Sequence, residues 1–140
     1  MEGVVMGAWG VLAFDNDQAC DWAGELIESD DLSPVEDAFD EVEENGAEYL
    51  DSDLACNALA ACEVLARLQG RPGYTNAYTE DVDKWVAAHP HKPTPKLLKR
   101  AGKVMDRILG EDSEWLDLWS ETGDDDWCAA FDDLRKRTLG

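Results

Sequence analysis

Apolar residues recur at three- and four-residue intervals along most of this chain, and polar breaks divide the pattern into seven helical segments. Ala19, Trp22, Ala23, Leu26 and Ile27 share one face of a helix expected over Asn16–Glu28. The second helix opens at Ser33-Pro34-Val35-Glu36, an N-cap with proline at N1 and a capping-box glutamate, and stops at Asn45-Gly46. Its inward face is Val35, Ala38, Phe39 and Val42. The third runs from Asp51-Ser52-Asp53 to about Gln69 and is apolar nearly all round, the signature of a buried central helix. Glu63 lies within it and has three readings: an exposed edge, a pair with a base, or a buried catalytic glutamate. Gly70-Arg71-Pro72-Gly73 ends that helix. Thr79-Glu80-Asp81 caps a short fourth helix, and Thr94-Pro95 opens a fifth. Ser113-Glu114 begins a sixth carrying Trp115 and Trp119, and a last helix covers about Asp126–Lys136. The expected fold is all-α: a compact single-domain bundle of about seven helices, with one short N-terminal strand or extended arm near Val4–Val11.

The stretch Met6–Trp22 joins an apolar arm to an acidic helix start. Asp15 is placed as an N-cap with Gln18 three residues on, and Phe14 and Ala19 occupy the positions of a hydrophobic staple. Asp15-Asn16-Asp17 also opens like an EF-hand loop, but Ala19 and Cys20 stand where that loop needs a ligand and a glycine, so calcium is not expected. Met-Gly-Ala-Trp-Gly at 6–10, Phe-Asp-Asn-Asp at 14–17 and Trp22 resemble the N-terminal signature of the bacterial family catalogued as domain of unknown function 4259. Ala58–Gly73 and Ser113–Trp119, followed by the last helix, are similar to that family as well. Residues 1–5 precede the resemblance and read as an extension. The resemblance implies a small soluble bacterial protein and no particular activity.

Charge changes this picture most. The formal net charge is −20, and residues 1–66 hold 18 acids with no lysine or arginine, leaving −18 there and −2 in residues 67–140. Direct contact with a nucleic-acid backbone or an anionic membrane is disfavoured, because both need Lys and Arg to meet phosphate. A basic protein partner would instead be attracted and steered in. Lys92 to Arg107 contains six bases and one acid, the chain's one basic patch; it either pairs internally, holds an acidic partner or meets nucleic acid. No apolar run is long enough for a membrane span, and a cytoplasmic location is expected.

Catalytic chemistry is poorly represented. The four cysteines form no Cys-x-x-Cys pair and are expected reduced and mostly buried. The two histidines, His89 and His91, flank a proline with no further ligand nearby, so neither metal nor cofactor is expected. The first functional expectation is therefore a non-enzymatic interaction module that docks its acidic helices, including Asp37, Asp40, Glu41 and Glu44, onto a basic partner, in the manner of an immunity protein or a nucleic-acid mimic. The alternative is an enzyme or small-molecule binder built from Trp9, Asp15, Asn16 and Asp17 with the Tyr74–Tyr78 loop.

Overall fold

The computed structural model describes residues 17–75, 79–121 and 126–139. Trp9, Asp15, Asn16 and Tyr78, the expected arm or strand at Val4–Val11, and the staple and cap before the first helix lie outside these residues. The described residues form seven helices: α1 (Asp17–Ile27), α2 (Ser33–Asn45), α3 (Ser52–Leu68), α4 (Glu80–Ala88), α5 (Pro95–Ile108), α6 (Glu114–Ser120) and α7 (Asp126–Leu139). They contain no strand, only an isolated parallel bridge between Leu50 and Ser113.

Helix α3 is the axis of the bundle and packs against each of the other six. Its many small side chains make this possible: Ala55, Ala58, Ala60, Ala61 and Ala66 are wholly buried, so neighbouring helices approach from several sides at once. Phe39 and Val42 of α2, Leu26 of α1, Met105 and Ile108 of α5, and Phe131 and Leu134 of α7 converge on it in one core. Trp115 of α6 completes that core at the far end, where it meets Phe131 (centroids 5.5 Å) and the edge of Trp127 (5.8 Å).

The helix starts combine expected and unexpected caps. Asp51 and Thr94 accept from Asp53 N–H and Leu97 N–H, as N-caps should. Ser33 does not cap α2. It is already helical, Leu32 takes the N-cap place without a side-chain bond, and Asp31 Oδ1 accepts the Ser33 N–H (2.9 Å). That hydrogen bond, with the Ser33 and Ser29 hydroxyls, holds the Asp31 carboxyl below its ordinary range. Glu114 reaches from α6 to accept the Ser52 N–H (2.8 Å), so α3 is capped partly by a residue distant in sequence.

Candidate functional site

The acidic residues of α1 and α2 are sorted by helical geometry into two sets. Glu36, Asp40 and Glu43, at i, i+4 and i+7, face α5. There Arg100 donates to Asp40 (2.5 Å) and to both oxygens of Glu43 (2.8 and 3.1 Å). The Glu43 and Asp40 hydrogen bonds push the Arg100 guanidinium above its ordinary value although partial burial opposes them. Glu36 lies across a cleft of about 260 Å³ from Lys92, Lys96 and Arg100. One seam of the basic patch is thus paired within the molecule. Arg107 is engaged differently: it donates to the carbonyls of Gly46, Glu48, Glu111 and Asp112, gathering the α2 terminus and the α5–α6 loop around one cation.

The second set faces away from the protein. On α1, Asp17, Asp21 and Glu25 are exposed at i, i+4 and i+8, with Glu28 one residue past the helix end. On α2, Asp37, Glu41 and Glu44 are exposed at i, i+4 and i+7. Between the two rows runs a groove of about 140 Å³ lined by Glu25, Asp37 and Glu41, with Trp22, Pro34, Ala38 and Asn57 completing it. Trp22 is held by donating from Nε1 to Pro34 O (3.3 Å), and Gln18 donates to Asn57 Oδ1 (3.1 Å) at the α1–α3 junction. Among the described residues none of these seven carboxylates makes an ion pair.

The cations are used in the opposite way. All six arginines are engaged inside the molecule: Arg67 and Arg137 on Glu63, Arg71 on Gln69 and the Arg137 carbonyl, Arg100 on α2, Arg107 on four carbonyls, and Arg135 on Asp106. Lys96, Lys99 and Lys103 make no ion pair among the described residues. Arginine's planar fork suits fixed internal contacts, whereas lysine's point charge remains hydrated.

The other candidates occupy distinct places. Asp17, at the start of α1, is exposed. Tyr74 is half-buried, with the Arg67 guanidinium 4.9 Å from its ring centroid and its carbonyl accepting from Arg67. Glu63 is buried and paired with bases, which decides among its three readings for a charge-paired position. Its i+4 spacing to Arg67 was a readable signal; its pairing with Arg137, from the far end of the chain, had none. Cys56 and Cys62 are buried; burial pushes the Cys56 thiol up to about 12 and Cys62 higher still. His89 stacks on Trp85 (4.7 Å, 17°), and both histidines reach Asp30 of the α1–α2 loop. Among the described residues no group of three or more His, Cys, Asp or Glu is placed to hold a metal ion, and no helix is long and apolar enough to cross a membrane.

No curated protein and no solved structure matches the chain. A family model described as a domain of unknown function matches residues 7–130, nearly the whole sequence, and on that match the chain belongs to the DUF4259 family.

Proposed function

We propose that this protein is a non-enzymatic interaction module, acting in the cytoplasm, that docks the outward face of α1 and α2 onto a basic protein. One observation carries the reading: Asp17, Asp21, Glu25, Glu28, Asp37, Glu41 and Glu44 make no ion pair among the described residues and stand in two rows flanking a groove, while every arginine is turned to internal contacts. Apart from Asp17, whose charge suits the positive end of α1, the arrangement works against the fold. Like charges at i, i+4 destabilise a helix. Acids near a helix C-terminus oppose its dipole, and neither α1 nor α2 has a basic residue in its last turn. Carboxylates that do not serve stability are free to serve recognition. Their field steers a basic surface in, and Glu25, Asp37 and Glu41 line a groove that would set carboxylates of both helices around an entering Lys or Arg side chain. The net charge of −20 also keeps nucleic-acid phosphate away from this face.

Affinity capture from the lysate of the protein's source, at low and moderate salt, tests the reading. A discrete basic protein held at low salt and released by added salt is expected. Binding that does not change with salt, or the absence of any discrete protein, contradicts it.

A further inference from the structure

We infer that segment 71–75 and helix α7, remote in sequence, open and close as one cooperative unit latched on the buried carboxylate of Glu63. The Glu63 side chain is 1% exposed. Arg137 of α7 grips it with both arms of its fork, Nη1 to Oε2 (2.6 Å) and Nη2 to Oε1 (3.0 Å), and Arg67 adds its Nε to Oε2 (3.1 Å). Burial opposes the Arg137 charge, but Glu63 and then Asp133 outweigh it and raise the guanidinium above its ordinary value. If Arg137 lets go while the rest of α7 still covers Glu63, Oε1 loses its donor and the buried carboxylate keeps only the Arg67 Nε. Leaving a buried charge with one partner removed is strongly unfavourable, so the last turn of α7 cannot leave by small steps.

The same two guanidiniums shape segment 71–75. Arg137 donates to Arg71 O and Arg71 donates back to Arg137 O (both 3.2 Å). Arg67 donates to Tyr74 O (2.5 Å) and to Asp83 of α4 (2.6 Å). Gly73 lies so close to Arg137 that a Cβ there would fall on the guanidinium. Beyond the fork, Gln69 donates to Thr138 O (2.8 Å), closing the α7 terminus onto α3, and the single Thr138 hydroxyl proton lies between Leu134 O (2.7 Å) and Cys62 O (3.1 Å). Release of Arg137 therefore removes its bond to Arg71 O, its contact with Gly73 and the anchor of the helix together, leaving Arg67 alone on Tyr74 O. Any partner that grips Tyr74 and its neighbours is by this route coupled to the C-terminal helix.

Native-state amide hydrogen exchange on the full chain, comparing wild type with Arg137→Gln, tests the coupling. Exchange of the Arg71 amide, which donates to Ala66 O (3.0 Å), and of the amides along α7 is expected to rise by a common factor on the order of 100 or more, the size that follows removal of one partner of a buried ion pair, while α1 and α2 keep wild-type rates. Arg137→Lys, which keeps a cation but loses the fork, is the companion variant should Arg137→Gln not fold, and is expected to give a smaller common rise in the same two segments. A rise at one segment without the other, an equal rise in every helix, or no change overturns the inference.

Discussion

At the scale of single residues, environment separates side chains of the same type. Cys20 and Cys128 are half-buried, whereas Cys56 and Cys62 are buried with thiols pushed up by desolvation. A thiol reacts as its thiolate, so Cys20 and Cys128 are expected to be alkylated in the folded protein well before Cys56 and Cys62. Peptide mapping after a timed iodoacetamide pulse checks this; early labelling of Cys62 contradicts it. Tyr49 is a second case. Its hydroxyl donates to Asp117 (2.9 Å) amid other acids, which raises it from 10.0 to about 12. Because the folded value lies above the ordinary one, the interaction stabilises the fold below pH 10.0 and is lost as pH rises through about 12. Ultraviolet titration of wild type against Tyr49→Phe is expected to lose the tyrosine transition near that upper value, and loss of a transition near 10 would show the hydrogen bond is not made. Glu63 shows why some of this was legible and some not. Its i+4 partner Arg67 could be read from spacing, but the deciding contact comes from Arg137, and nothing local in the sequence marks a pair separated by most of the chain.

At the scale of elements, the apolar periodicity carried all seven helices, with ends within a few residues, because each buries one face on α3. What periodicity could not settle was how the ends are finished. Ser33 reads as a cap, yet Asp31 takes the Ser33 N–H first and Glu114 supplies a cap to α3 from another helix. Such contacts depend on tertiary packing. The alanine-rich α3 makes a direct claim about packing: Ala61 is wholly buried, so Ala61→Leu is expected to lower stability by about 1–3 kcal/mol through overpacking, measured by urea denaturation. Arg107 makes another. It ties the α2 terminus to the α5–α6 loop through four carbonyls, so Arg107→Ala is expected to speed amide exchange around Gly46–Leu50 and Asp112 more than elsewhere. The basic patch on α5 was readable as composition but not as geometry: only the structure shows Arg100 and Arg107 turned inward and the lysines left in water.

At the scale of the whole molecule, the charge asymmetry read from the sequence becomes a placed surface. Six carboxylates on α1 and α2 and Glu28 just past α1, none in an ion pair among the described residues, repel one another, so salt should stabilise the fold by screening. Neutralising Glu41 and Glu44, near the negative end of α2, is expected to raise the melting temperature at low salt and to reduce its rise with added salt. A fall in melting temperature would show that these acids support the fold after all. A stabilising substitution that abolishes partner capture would be the mark of residues kept for recognition. The most direct measurement compares partner capture by wild type, by the triple variant Asp37→Asn, Glu41→Gln, Glu44→Gln, and by a control triple neutralising the exposed acids Asp81, Glu111 and Glu121. The basic partner is expected to be retained by wild type and by the control but lost from the α2 variant; equal retention by the two variants, or equal loss, would contradict a docking face on α1 and α2.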